Sequence, residues 1–86
     1  MSAQTTPARA TPDATTAQIN LIVADAFANA TPPRSAAYIE GFRCAIRRRL
    51  VGTRLPVPYR LGSAEADAYF AGRDDGDEHP LEVPAL

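Results

Sequence analysis

Apolar residues recur at helical spacing between Ile19 and Ala30: Ile19, Ile22, Val23, Ala26, Phe27 and Ala30 share one face, leaving Asn20, Asp25 and Asn29 to solvent. Thr15-Thr16-Ala17-Gln18, just before this run, has the form of a capping box, in which a hydroxyl and an amide satisfy free backbone donors at a helix start. A first helix over about 16–30 is therefore predicted. Thr31-Pro32-Pro33-Arg34 ends it, because proline removes a donor and pushes the preceding residue out of helical geometry. Ser35 then caps a second helix over about 35–51. Its inward face is Ile39, Phe42, Ile46 and Leu50, with Tyr38 and Ala45 beside it and Gly52 as its C-terminal cap. Pro56 and Pro58 make the next segment, Thr53 to Gly62, extended. Ser63 caps a short third helix over about 63–71, with Glu65 and Asp67 in its first turn, an apolar stripe of Ala66, Tyr69 and Phe70, and Gly72 as its stop.

The pattern predicts an all-α protein: a small helical hairpin (helix, Pro-Tyr loop, helix) with an additional N-terminal helix. Residues 1–14, rich in Ala, Thr and Pro, and residues 73–86, acidic and punctuated by proline, are expected to be disordered tails around a three-helix domain spanning 15–72. With 86 residues the chain holds one small core, worth about 3–5 kcal/mol of net stability. Cys44 is the single cysteine, so no intrachain disulfide adds to that figure. No apolar run of membrane-spanning length and no signal-peptide pattern occurs, which leads to the expectation of a cytoplasmic protein without membrane association.

Charge changes this picture more than hydropathy does. The net charge is −1, yet residues 34–60 carry Arg34, Arg43, Arg47, Arg48, Arg49, Arg54 and Arg60 against Glu40 alone. Residues 61–86 carry Glu65, Asp67, Asp74, Asp75, Asp77, Glu78 and Glu82 against Arg73 alone. The chain is dipolar, a pattern that points to an interaction surface. There is no lysine, and arginine supplies planar, bidentate donors suited to phosphate or carboxylate.

Catalytic chemistry finds little support. His79, the sole histidine, lies in the expected tail, and a general base must be held rigidly near its proton target. Cys44 sits inside the second helix without a neighbouring partner in sequence. Asp74-Asp75-Gly76-Asp77-Glu78 lacks the alternating ligand spacing of a calcium loop, and no phosphate-cradling loop, nucleophile elbow or zinc spacing is present. The reading is a non-enzymatic binding protein with no cofactor and no metal.

Tyr38-Ile39-Glu40-Gly41-Phe42, then Pro58-Tyr59, then Tyr69-Phe70-Ala71-Gly72 stand in the order found in the ribosome modulation factor-like group of small helical proteins, which the chain resembles over roughly residues 36–76. The resemblance implies two antiparallel helices clasped by the Pro-Tyr loop, Tyr59 packing on the hairpin, and association with ribosomal RNA.

Two functions are expected to compete. In the first, a regulator binds ribosomal or other RNA through Arg43, Arg47, Arg48, Arg49, Arg54, Tyr59 and Arg60, with the acidic tail as an intramolecular competitor whose removal strengthens binding. In the second, a phage-type inhibitor or adaptor of the anti-CRISPR kind binds a nucleic-acid-handling protein through Glu65, Asp67, Asp74, Asp75, Asp77 and Glu78. Homodimerisation, basic half to acidic half, is compatible with either.

Overall fold

A computed structural model describes residues 14–30 and 32–82. Those residues form three helices, α1 (Ala14–Ala26), α2 (Ala36–Val51) and α3 (Ala64–Glu78), with no strand among them. The all-α, three-helix expectation holds. Residues 1–13, most of the expected N-terminal tail, lie outside the described residues.

The caps of α2 and the start of α3 are those the sequence announces. The Ser35 hydroxyl accepts from the Tyr38 N–H at 3.2 Å, and that of Ser63 accepts from the Ala66 N–H at 3.1 Å. Each satisfies a donor the helix leaves free. Gly52 closes α2 in the left-handed conformation, φ +77°, its N–H donating to the Arg48 carbonyl at 2.8 Å. Helix α1 is displaced from its expected span: it runs from Ala14 to Ala26, and Phe27 to Asn29 form a turn. The Phe27 N–H still donates to the Val23 carbonyl at 3.2 Å, carrying the helical pattern one step beyond the helix proper.

Helices α1 and α2 form an antiparallel hairpin. Asn20 at the middle of α1 meets Arg43 at the middle of α2, and Phe27, just after α1, meets Tyr38 early in α2. Ile19, Ile22 and Val23 pack on Phe42 and Ile46, with Phe27, Ile39, Leu50 and Leu81 closing the cluster. Each large side chain buried in this cluster stabilises the fold by about 1.5–3 kcal/mol.

Helices α2 and α3 are related differently. The last turn of α2, Arg48 and Arg49, meets the last turn of α3 at Gly76, Asp77 and His79. The two helices thus run in the same general sense, and the extended segment 52–63 is a strap that returns the chain to the start of α3. This corrects the antiparallel arrangement implied by the resemblance, in which the end of α2 would face the start of α3.

Glycine makes the parallel pairing possible. A Cβ on Gly41 would overlap the Tyr69 carbonyl oxygen and sit 2.8 Å from its carbon; a Cβ on Gly72 would meet the Tyr38 carbonyl in the same way. The hydrogen that occupies each position instead points at a carbonyl oxygen, a weak donor worth about 0.5–1 kcal/mol. The two contacts are images of each other. One common shift along the chain turns Tyr38, Gly41 and Phe42 into Tyr69, Gly72 and Arg73, the neighbours each glycine faces across the interface. A local two-fold relation therefore exchanges the two Ala-Tyr-x-x-Gly segments. Gly76, one turn further, lies under Ala45 and Phe42.

The expectation that Gly72 stops the third helix, and that a disordered tail begins at residue 73, is corrected. Gly72 and Gly76 are buried inside α3, which continues to Glu78, and Leu81 packs on the core beyond it. Residues 83–86 of that expected tail lie outside the described residues.

Gly41→Ala or Gly72→Ala is expected to leave the chain largely unfolded, because the overlap is with backbone that no rotamer change can move. The expected loss is about 3 kcal/mol or more, comparable to the whole stability of so small a core. Gly52→Ala, where the added methyl meets open space but φ is positive, is expected to cost about 1–2 kcal/mol. Thermal unfolding followed by circular dichroism checks the ranking.

Candidate functional site

Helical phase sorts the arginines of α2 into two groups. Arg48 and Arg49 flank the stripe that meets α3 and are engaged there. Arg48 forms an ion pair with Asp77, and Arg49 Nη1 donates to the carbonyls of Gly76 at 2.5 Å and His79 at 2.8 Å. The Arg49 guanidinium is thereby a cap for the carbonyl end of α3, where the helix dipole is negative and Asp74, Asp75, Asp77 and Glu78 add further negative charge. Two of the arginines expected to bind nucleic acid hold the fold together instead.

Arg43 and Arg47 lie one turn apart, half-buried, on the opposite side of α2. Both line a groove of about 300 Å³ beneath the strap, with Glu40 and Cys44 from α2, Pro56 from the strap and Tyr69 from α3. Arg43 Nη1 donates to Asn20 Oδ1 at 2.7 Å, which orients the guanidinium without neutralising it. Among the described residues, Arg47, Arg54 and Arg60 make no hydrogen bond or ion pair through their side chains, and Arg54 and Arg60 are exposed on the strap. Tyr59 sits edge-on against Tyr69, ring centroids 5.8 Å apart, so the Pro-Tyr element joins the strap to the helix pair.

Among the described residues, Tyr69 is the titratable group with a clear perturbation. Its side chain is 1% exposed, and its pKa is pushed up from 10.0 to about 12, first by burial and then by a hydrogen bond and electrostatic interaction with Cys44, with Arg73 opposing. Burial disfavours the phenolate.

The acidic residues divide as well. Asp77 is held by Arg48, whereas Asp67, Asp74 and Glu78 follow the solvent stripe of α3 opposite its buried residues Tyr69 and Gly76. Glu65 and Asp67 lie in the first turn, where negative charge complements the dipole. Asp75 and Glu78 line a second and larger groove, about 960 Å³, between the α1–α2 connection and the end of α3. Sequence reasoning missed that groove, because its floor, Phe27, Tyr38, Phe42 and His79, comes from three separate segments. His79 belongs to it: its ring lies 5.1 Å from that of Phe42, and no cluster of metal-ligating side chains is found among the described residues.

No protein-family model, no curated protein and no solved structure matches the chain. No helix among the described residues is long and apolar enough to cross a membrane.

Arg49→Ala removes two charge-assisted bonds to carbonyls at a helix end, one of them at the surface, and is expected to cost about 1–2 kcal/mol in urea denaturation. Arg48→Ala is expected to cost less than about 1 kcal/mol, since the Asp77 side chain is 39% exposed and solvent screens the pair. Tyr69 predicts alkaline sensitivity. A folded-state pKa above the unfolded value leaves stability intact below about pH 10 and removes it as pH rises toward 12. Melting temperature measured across that interval should fall in the parent protein and fall less in Tyr69→Phe.

Proposed function

We propose that this is a non-enzymatic nucleic-acid-binding protein that takes an unpaired RNA segment in the groove under the strap. The observation that carries the reading is the position of Arg43 and Arg47, side by side in one concave site with no acidic partner bonded to either, facing a strap that carries Arg54 and Arg60. A groove of about 300 Å³ suits a base and its flanking phosphates rather than a duplex. Arginine serves phosphate here as a planar, permanently charged donor. Tyr59, half-buried against Tyr69 at the end of the strap, offers the remainder of its ring for base stacking, worth about 1–3 kcal/mol per base where it occurs. The order of the Tyr38–Phe42, Pro58-Tyr59 and Tyr69–Gly72 motifs makes ribosomal RNA the first ligand to try. Arg48 and Arg49 leave the set of RNA contacts. The intramolecular competitor expected in residues 73–86 takes a different form, because Asp77 pairs with Arg48 and not with the groove arginines.

A protein-binding inhibitor acting through acidic side chains is the second reading, supported by exposed Asp67 and Asp74 on the outer stripe of α3. That stripe is the outer surface of a helix and presents charge without a recess, so it specifies a ligand less well than the arginine groove.

Removing residues 73–86 does not test the RNA reading, since it deletes the end of α3 and the Gly76 contact. Point variants do. Fluorescence anisotropy with single-stranded ribosomal RNA fragments should give a log–log salt slope of roughly −3 if all four arginines meet phosphate, at about −0.7 per contact. Arg47→Ala and Arg54→Ala should each weaken binding and flatten the slope by about 0.7, while Asp67→Asn should leave the slope unchanged. A slope near zero, or one indifferent to the arginine variants, rejects the groove as an RNA site.

A further inference from the structure

The larger groove shares no lining residue with the arginine groove, and its chemistry is of the opposite kind. Its floor is aromatic. Phe27 stands edge-on to Tyr38 at 5.9 Å and to Phe42 at 4.9 Å, and the His79 ring closes on Phe42 from the α3 side. Its rim carries Asp25 from α1 and Asp75 and Glu78 from α3, three carboxylates that form no ion pair among the described residues.

One cation already occupies part of it. The Arg34 guanidinium lies over the Tyr38 ring, 4.5 Å from its centroid. The electron-rich face of a tyrosine attracts a guanidinium, by about 0.5–1 kcal/mol when exposed and more when water is excluded. Arg34 shows that the floor accepts this group, yet it offsets only one of three negative charges. At about 960 Å³ the groove has volume for several side chains beyond Arg34.

We infer that this groove is a docking site for an arginine-bearing segment of a protein partner, one guanidinium taking the place of Arg34 over the buried Tyr38 ring beside half-buried Phe27, and others pairing with Asp25, Asp75 and Glu78. Charge complementarity selects a cationic occupant, and the aromatic floor selects arginine over lysine because the planar, weakly hydrated guanidinium stacks better than an ammonium. Arg34 acts as a resident competitor that a partner arginine displaces. The assignment concerns a different face from the RNA site and stands without it.

The test uses the full chain and a fluorescein-labelled peptide of alternating arginine and alanine, with lysine and citrulline counterparts, at moderate salt so that distant charges are screened. The arginine peptide should bind several-fold tighter than the lysine peptide, and the citrulline peptide should not bind. Neutralising the rim with Asp25→Asn, Asp75→Asn and Glu78→Gln should weaken binding at least tenfold. Those changes sit on exposed positions, and the two in α3 relieve negative charge near a helix C-terminus, so the fold should persist in circular dichroism. Arg34→Gln should tighten binding about threefold or more. The control pair Asp67→Asn and Asp74→Asn, acidic but outside the groove, should change affinity by less than about twofold, and the rim pair Asp75→Asn and Glu78→Gln, which removes the same charge, should weaken it several-fold. Equal weakening by the control pair, or amide shifts in nuclear magnetic resonance confined to the neighbourhood of Asp67 and Asp74, would reduce the effect to bulk charge and overturn the site. Self-association of the chain that the peptide competes away would make a second copy the occupant and overturn the assignment to a partner.

Discussion

Two backbone contacts, Gly41 against the Tyr69 carbonyl and Gly72 against the Tyr38 carbonyl, set the arrangement of the whole molecule. Helices that pack through side chains keep their axes about 8–10 Å apart; small residues allow the backbones themselves to meet. Here the approach occurs at two equivalent points, so the helices are fixed in rotation and in register together. Once α2 and α3 run in the same sense, a short loop cannot join them, and the extended, proline-stiffened segment 52–63 becomes a structural requirement. Pro56 and Pro58 then hold that strap over α2, where it roofs the arginine groove.

The same register decides the electrostatics. A chain with a basic middle and an acidic end would collapse its charges onto each other if it were free to do so. The fixed pairing allows only the last turns to meet, so Arg48 and Arg49 are used on the end of α3 while Arg43 and Arg47 remain on the far side of α2. Asp75 and Glu78 are carried to the opposite groove, beside an aromatic floor that the α1–α2 hairpin supplies. Two recesses of opposite prevailing charge result, on different faces of a short chain.

Helices α1 and α2, their apolar faces, the caps at Ser35, Gly52 and Ser63, and the extended strap were legible because each follows from local rules: period, capping and proline geometry. The end of α3 was not. Gly72 followed by Arg73, Asp74 and Asp75 reads as a helix stop and an acidic tail, since glycine favours C-terminal caps and acids are unfavourable near a helix C-terminus. Both penalties are real, and both are offset from outside the segment: the glycines admit the α2 backbone, and Arg48 and Arg49 counter the negative helix end. The repeated Ala-Tyr-x-x-Gly was visible in the sequence as two separate motifs, at Ala37 to Gly41 and Ala68 to Gly72. Their equivalence emerges only when each glycine is seen beneath the carbonyl of the other's tyrosine.

By itself the sequence determined that the protein is all-helical, that its first two helices have apolar faces, and that it carries separated blocks of arginine and acid. Spacing and composition suffice for this, because secondary structure and net charge are properties of neighbours along the chain. Tertiary structure alone decided the parallel sense of α2 and α3, the extension of α3 to Glu78, and which arginines are consumed within the fold and which face solvent. Those outcomes depend on contacts between residues far apart in sequence, and the cost of a buried glycine or a misplaced acid cannot be judged until the group that compensates for it is in place.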